Sequence, residues 1–367
     1  MKKSLLYILI AYFSLSVFLY SDDAAEEPAL VKTALKVTWD SKRIYVDGKL
    51  FFIKGICYAP FYPNFGYTKH AYKKFPKELK EKDFQLMKDA GFNTIRVYEN
   101  MPDDFYELCI KYDMKVIEPV IFPGHYTNID NEDVLKDLKK EAVRRVTKMK
   151  DHHSILMWYL WNDAPFPKKN LVEKFGFERV NTFFKEIYDA IKEIDENHPV
   201  TGANIINIKP GWNVGFEFLD VIGCNSYIGL DHNDMAWVDI RFSKREAIKR
   251  VKLMKAFSKK FKKPVFIMET GCSSYTKKRT QHKVIETQIK IVGEKLAGYC
   301  IFELTDEWWK AGKDETQEFE LEEHWGLCDA YRKPKKVYHI IKKYMNGIPT
   351  ESKGLNSKLY KKIRAKK

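Results

Sequence analysis

Eight short apolar runs, rich in isoleucine and valine, recur along this 367-residue chain. They occupy residues 52–58, 94–98, 115–120, 155–161, 200–204, 221–225, 265–268 and 299–302. Longer segments with helical periodicity separate most of them, and this alternation indicates parallel strands wrapped by helices. Eight such units predict an α/β protein with a closed (β/α)8 architecture, the TIM barrel, rather than an open sheet.

The two ends of the chain differ from this repeating part. Residues 1–21 combine two lysines with an apolar run of about 16 residues, which is short for a spanning helix of roughly 20. This pattern predicts an export signal, either a cleaved signal peptide or a signal anchor left in the membrane. Residues 22–34 are predicted to be a linker. Residues 35–348 would form the barrel, which alternation around Asp47-Gly48 predicts to begin with a β-hairpin. Residues 349–367 form a basic tail.

The net charge of +14 raises the question of an anionic partner. No zinc-finger spacing, aromatic RNA-binding signature or phosphate loop accompanies it, so we expect no nucleic-acid partner. No glycine-rich fingerprint follows a strand, and the nine histidines form no cluster. We therefore expect neither a cofactor nor a metal, and no obligate protein partner is evident. The six cysteines are expected to be mostly buried free thiols, although a Cys57–Cys300 bridge is conceivable.

Polar and aromatic side chains follow the apolar runs, where the active site of such a barrel lies. Carboxylates, amides and large aromatic rings are the mixture that sugars need, because rings stack on the C–H face of a pyranose while polar groups hold its hydroxyls. The sequence therefore predicts a carbohydrate site. Its candidate residues are Tyr58, Arg96, Tyr98, Glu118, Asn162, Asp163, Asn204, Asn225, Tyr227, Glu269, Glu303, Asp306, Glu307, Trp308 and Trp309.

Two carboxyl groups are required to cleave a glycosidic bond, roughly 5 Å apart when the configuration is retained. Glu269 ends a buried run and precedes Thr270-Gly271, so it is the stronger candidate. Asp163 ends the fourth run directly after Asn162. It is the candidate partner, although a Trp-Asn-Asp sequence could also cap a loop.

Several ordered motifs resemble the catalytic barrel of glycoside hydrolase family 2, within the larger group of retaining barrel glycosidases. They are SKRIYVDGKLFFIKGICY, LMKDAGFNTIRVYENMPDDFYELCIKYDMKVI, HHSILMWYLWND, KKPVFIMETG and WGLCDAYRKPKKVYH. The match covers roughly residues 40–345. The stretches FFIKGICYAP, NTIRVY and VFIMETGC are also similar to yeast-type β-1,3-glucanosyltransferases.

The resemblance implies a role for each candidate residue. Glu269 would be the nucleophile and Asp163 the acid/base. Asn162 would bind the hydroxyl next to the reacting carbon, Tyr227 would donate to the nucleophile, and Arg96 would hold the nucleophile ionised. The pair Trp308 and Trp309 would form the floor of the sugar site, with Tyr58 and Glu118 as further substrate contacts.

One departure from the family is the acid/base, because family 2 has Glu where this chain has Asp163. The side chain is shorter by about 1.5 Å, and a misplacement of that order can cost about a hundredfold in rate. Either the backbone compensates, or Glu118 or Glu303 serves instead, or activity is weak.

The sequence therefore predicts an exported retaining glycosidase or transglycosidase that acts on an oligo- or polysaccharide with β-linkages. One alternative is a sugar-binding barrel that has lost efficient acid catalysis. Another is an unrelated barrel enzyme, such as a metal-dependent hydrolase, which would be sensitive to chelators. The expected location is the periplasm, the cell envelope or the medium.

Overall fold

Three short antiparallel strands open the described part of the chain: β1 (Val37–Trp39), β2 (Ile44–Val46) and β3 (Lys49–Phe51). The predicted hairpin is thus confirmed, with β1 added as a third strand. Its turn is Asp47-Gly48, where both residues have positive φ, 51° and 76°. Two consecutive positive φ values are typical of the tight turns whose twist matches that of the flanking strands.

Eight parallel strands form a closed barrel in this computed structural model. They are β4 (Ile53–Cys57), β5 (Thr94–Arg96), β6 (Lys115–Pro119), β7 (Ile155–Asn162), β8 (Val200–Ile205), β9 (Ile222–Asn225), β10 (Val265–Thr270) and β11 (Gly298–Ile301). Each strand pairs with the next, and β11 pairs with β4 to close the ring. The predicted (β/α)8 barrel is confirmed, since each predicted run contains one strand or most of it.

The structure describes residues 34–64, 75–121, 128–163, 171–205, 213–227, 240–275, 281–312, 315–318 and 320–347. The predicted export signal, nearly all of the predicted linker and the basic tail therefore lie outside the described residues. None of the helices within these ranges is both long enough and apolar enough to span a bilayer.

The described helices are α1 (Lys77–Ala90), α2 (Asp103–Lys111), α3 (Glu132–Met149), α4 (Leu171–Phe175), α5 (Phe177–Lys192), α6 (Ile240–Phe261), α7 (Gln281–Val292) and α8 (Lys336–Met345). The helical pattern between β7 and β8 predicts a single helix, but the structure has two, α4 and α5. Gly176 separates them with a φ of 81°. That conformation lies in the left-handed region that favours glycine.

Two hydrophobic clusters fill the fold. One lies between the strands and the helices and includes Ile56 and Phe84, whereas the other includes Cys57 and Tyr159 and fills the barrel. Leu35, Val37, Ile44 and Val46 belong to the second cluster. The small N-terminal sheet therefore packs against the barrel interior, next to the N-terminal ends of the strands.

All six cysteines are buried and free. The conceivable Cys57–Cys300 bridge is absent, although the strands that carry them are neighbours. The register pairs Cys300 with Gly55, so Cys57 lies two residues further along its strand. A Cβ on Gly55 would lie 2.3 Å from the Cys300 sulfur, so this contact needs glycine.

Candidate active site

Glu269 lies near the carboxyl end of β10 and is the centre of a group of hydrogen-bond donors. Its Oε1 accepts from the Arg96 guanidinium and from the Tyr98 hydroxyl at 2.9 Å, and its Oε2 accepts from Tyr227 at 2.7 Å. Arg96 and Glu269 are both buried. Side chains from β5 and from the end of β9 thus converge on this one carboxyl group.

Both tyrosines remain donors at physiological pH. Burial raises the pKa of Tyr98 and that of Tyr227 well above the ordinary phenol value. Neither hydroxyl therefore ionises next to Glu269, and both can hold its oxygens in fixed positions.

Asp163 follows β7 directly, and two amides hold its carboxyl group. Asn225, the last residue of β9, donates to Asp163 Oδ1 at 2.7 Å, and Asn162 donates to Oδ2 at 3.3 Å. The Asp163 backbone has a φ of 55°, in the left-handed region. Asp and Asn enter this region more readily than other non-glycine residues.

Arg96 and Asn162 together connect the two carboxyl groups. One of its amino groups binds Glu269 and the other donates to Asn162 Oδ1 at 2.8 Å. Burial and then the charge of Glu269 raise the pKa of Asp163 to about 7. The fourth and seventh barrel strands thus bring into one site a carboxyl group held by a cation and two phenols and a second one with a raised pKa.

Aromatic rings surround this network. Phe302 directly follows β11, and its ring meets those of Tyr98, Tyr227 and Trp325 edge-on at 6.3, 6.1 and 5.7 Å. Tyr227 and Trp325 also meet, at 5.1 Å. Trp325 is buried, whereas Tyr98, Tyr227 and Phe302 are each partly exposed. Phe302 is the one of these three rings without a hydroxyl, and Lys310 Nζ lies 4.4 Å from its centre.

Trp308 and Trp309 pack in a second aromatic cluster, with Phe61 and Ala330. Trp308 is only 8% exposed, and its ring meets Phe61 at 6.4 Å and Tyr331 at 5.8 Å. Little of this ring is left for a ligand. Trp309 is partly exposed and donates to Glu307 at 2.7 Å. A floor formed by this pair remains a prediction, while Phe302 packs against the two tyrosines that bind Glu269.

Tyr58 is not a substrate contact, and that prediction is wrong. It is 1% exposed, and its hydroxyl donates to Asp83 at 3.0 Å. Successive side chains of a strand point to opposite faces. Tyr58 continues the face of Ile56, which packs towards the helices, rather than that of Cys57 inside the barrel.

Glu118 was expected to bind substrate or to serve as an alternative acid, and both predictions are wrong for the same reason. It is 0% exposed and points outwards from β6, where it accepts from Tyr106 at 2.8 Å and pairs with Arg145. Glu303, the other alternative acid, is buried with both oxygens bound to Lys310, at 2.6 and 2.7 Å. Asp163 is thus the better placed acid.

Four residues of the site had no assigned role from sequence: Tyr98, Asn225, Phe302 and Trp325. Tyr98 and Asn225 each follow or end a strand, two residues from an assigned residue, and this position was the available signal. Phe302 ends the last apolar run, and Trp325 begins a quoted motif. Only the barrel geometry shows that Tyr98 and Asn225 bond to Glu269 and Asp163, and that Phe302 and Trp325 pack around Tyr227.

A comparison with known families identifies the family of this barrel. Residues 37–350 match the model of glycosyl hydrolases family 2, TIM barrel domain. The chain belongs to this family. Among curated family relatives, a β-glucuronidase of Streptococcus agalactiae is 23% identical over 302 residues, which cover 73% of this chain and 46% of that protein. A β-galactosidase of Lactococcus lactis is 26% identical over 172 residues, or 45% of this chain and 15% of that protein.

Solved structures agree with the family 2 barrel. A β-galacturonidase of Eisenbergiella tayi superposes with a TM-score of 0.67 at 20% identity, over 88% of this chain and 55% of that one. A β-glucuronidase of Bacteroides uniformis gives 0.66 at 20% identity, over 86% and 38%. At this identity the likeness shows the fold alone. The chain spans less than half of the length of the two curated relatives.

Proposed function

We propose that this family 2 barrel is a retaining β-glycosidase that acts by double displacement. The observation that carries this proposal is the contrast between its two carboxyl groups. Glu269 is held by a guanidinium and two phenols, whereas the pKa of Asp163 is raised to about 7. A carboxyl group held in place by donors, beside a second one that keeps its proton near neutral pH, supplies a nucleophile and an acid.

In the first step, a Glu269 oxygen attacks the anomeric carbon while Asp163 gives its proton to the glycosidic oxygen, and the leaving alcohol departs. In the second step, the Asp163 carboxylate takes a proton from water. That water oxygen attacks the anomeric carbon, and the bond to Glu269 breaks. Two inversions give net retention, and both side chains regain their initial protonation states.

The substrate class follows from the relatives, whose names are β-glucuronidase, β-galacturonidase and β-galactosidase. We therefore propose a β-linked uronic acid or galactose as the glycone. Phe302 would stack on this sugar and Asn162 would bind its 2-hydroxyl. If an acceptor sugar replaces water in the second step, the same site catalyses transglycosylation.

The test uses 4-nitrophenyl β-glucuronide, β-galacturonide and β-galactoside with the wild-type chain and the variant Glu269→Gln. We expect turnover of at least one substrate and a loss of more than about 10⁴-fold in the variant, as is usual for a catalytic nucleophile. Glu178→Gln, on the exposed side of α5, is the control and should keep full activity. The 2-fluoro derivative of the accepted sugar should label Glu269.

A weakened, sugar-binding barrel is the second candidate, because Asp163 replaces the glutamate of the family. It predicts that the sugars bind without turnover and that Glu269→Gln changes neither result. This outcome, or a label on another residue, would refute the glycosidase.

We also propose that residues 1–21 direct export of the chain. Cell fractionation and the mass of the mature N-terminus test this proposal. An intact chain in the cytoplasm would refute it.

A further inference from the structure

Two features of Asp163 set it apart from an ordinary acid at a strand end. Its backbone lies in the left-handed region, and its Oδ1 accepts a short bond from a residue two strands away, since β8 lies between β7 and β9. That residue, Asn225, is 2% exposed, so its side chain has few alternative positions.

The hydrogen-bond network fixes which way Asn225 faces. A guanidinium has donors only, so Asn162 must present its oxygen to Arg96. The same Oδ1 is 3.0 Å from Asn225 Nδ2. Because that oxygen can only accept, Asn225 must turn its amino group, not its carbonyl, towards Asn162. The second hydrogen of the amino group then points to Asp163 Oδ1.

We propose, within the glycosidase proposed above, that Asn225 is the positioning residue that adapts the short Asp163 side chain to acid/base catalysis. Its amino group holds Oδ1 at 2.7 Å, a shorter contact than the 3.3 Å from Asn162 to Oδ2. The acid proton therefore resides on Oδ2, which faces the weaker donor Asn162. The left-handed backbone and the Asn225 amide together do what an additional methylene does in the rest of the family.

The test compares Asn225→Ala and the isosteric Asn225→Asp with wild type over a range of pH, on 4-nitrophenyl and 2,4-dinitrophenyl glycosides of the accepted sugar. For the 4-nitrophenyl substrate, Asn225→Ala should lower kcat/KM by about 100-fold, the cost of a misplaced catalytic group. With 2,4-dinitrophenol, which leaves without a proton, the loss should be small. The fall of kcat/KM at high pH, the basic limb of the pH profile, should move to higher pH in both variants. The shift should be larger in Asn225→Asp, because its carboxylate repels that of Asp163.

Asn93 is the matched control. It is a partly buried amide just before β5, at the opposite end of the barrel, and its Nδ2 donates to the carbonyl of Phe52 at 3.0 Å. Asn93→Ala should leave both the basic limb and the dependence on the leaving group unchanged. An Asn225→Asp variant with the wild-type pH profile would overturn the positioning role.

The titration of Asp163 is a readout that needs no turnover. In protein with ¹³C-labelled aspartate, the signal lost in Asp163→Asn belongs to this residue, and its midpoint should rise in Asn225→Ala. An unchanged midpoint would refute the role of Asn225 even if no glycoside were cleaved. If the wild type cleaved no glycoside but the Asp163 midpoint still rose in Asn225→Ala, the glycosidase would be refuted. The hydrogen bond between Asn225 and Asp163 would then still be supported.

A second observation concerns the outer face of α6. Its exposed cations are Lys244, Arg245, Lys249, Lys252, Lys255, Lys259 and Lys260, and none of its exposed described side chains is acidic. In contrast, α3 exposes Glu132, Asp133 and Asp137 among its lysines. Ile248 and Leu253, 38% and 41% exposed, lie between these α6 cations.

We propose that this face of α6 binds an anionic lipid surface. Lysines draw the helix to the headgroups, and exposed apolar side chains can enter the interface, which a dissolved polyanion does not offer them. Each lysine near such a surface strengthens binding severalfold. Reversal of Lys249, Lys252 and Lys255 to Glu should therefore weaken binding by about 100-fold or more.

The experiment is co-sedimentation of the full chain with phosphatidylglycerol and phosphatidylcholine vesicles. The matched control reverses the exposed Lys82, Lys136 and Lys140, which changes the net charge equally but leaves α6 intact. We expect salt-sensitive binding to the anionic vesicles only, lost on α6 reversal, reduced by Leu253→Ser and kept in the control. Equal loss in both triple variants, or binding to heparin but not to vesicles, would overturn the proposal.

Discussion

Asp163 and Glu269 show how surroundings give one functional group two chemistries. Glu269 accepts from a cation and two phenols, whereas Asp163 accepts from two amides. Burial and the charge of Glu269 raise the pKa of Asp163 to about 7. The pKa of Asp163 therefore depends on the charge of Glu269.

The first residue-scale prediction is the pH dependence of activity. Glycosylation needs protonated Asp163, so kcat/KM should fall as pH rises through about 7. The measurement is kcat/KM against pH for a 4-nitrophenyl glycoside. Glu269→Gln removes one cause of the raised pKa, so the Asp163 midpoint should fall in that variant. A basic limb that begins near pH 5 would contradict the assignment.

The second residue-scale prediction concerns Asp163→Glu. Although it restores the residue type of the family, the φ of 55° suits Asp better than Glu, and the longer side chain would lose the Asn225 bond. We expect kcat/KM to fall by about 100-fold, with a loss of about 1 kcal/mol in the free energy of unfolding. Higher activity than wild type would show that the backbone is not adapted to Asp.

At the scale of elements, a buried ion pair joins α1 to the segment before α8. Asp83 on α1 accepts from Arg332 through both oxygens, each at 2.9 Å, and from Tyr58 at 3.0 Å. The Arg332 guanidinium also bonds to backbone carbonyls, including that of Ala330 at 2.7 Å. This network fixes the approach of the closing helix to the barrel and explains why Tyr58 is unavailable to a substrate.

Asp83→Ala should therefore lower the free energy of unfolding by about 3–5 kcal/mol, because it leaves Arg332 buried without its counter-ion. Chemical denaturation measures this loss. The control is Asp189→Ala, which breaks the exposed pair with Lys185 and should cost less than about 1 kcal/mol. Equal losses in the two variants would contradict the structural role of the Asp83 pair.

At the scale of the molecule, stability and chemistry occupy opposite ends of the barrel. The N-terminal sheet packs on the interior cluster near the starts of the strands, while Glu269, Asp163 and Asn225 lie at strand ends. This separation is general for the fold. Changes in the sheet should therefore affect unfolding more than turnover.

Ile44→Ala tests this separation. Ile44 is fully buried in the interior cluster, so its truncation should cost about 2–5 kcal/mol of unfolding free energy. The kcat per folded molecule should stay the same. Lys49→Ala, exposed on the same sheet, should change neither quantity. A large fall in kcat for Ile44→Ala would show that the two ends are coupled.

The sequence alone determined the barrel, because eight apolar runs of strand length separated by helical periods allow few other closed folds. It also determined the strand ends, and so selected Glu269, Arg96, Asn162, Asp163 and Tyr227. Tertiary structure decided which faces of the strands these and other residues occupy. In a parallel barrel the strands are buried on both faces, so their sequence shows no apolar–polar alternation from which inward and outward positions can be read. Tyr58 and Glu118 were misassigned for that reason. The bond between Asn225 and Asp163 joins residues that lie 62 positions apart in the chain, and only the closed barrel brings them together.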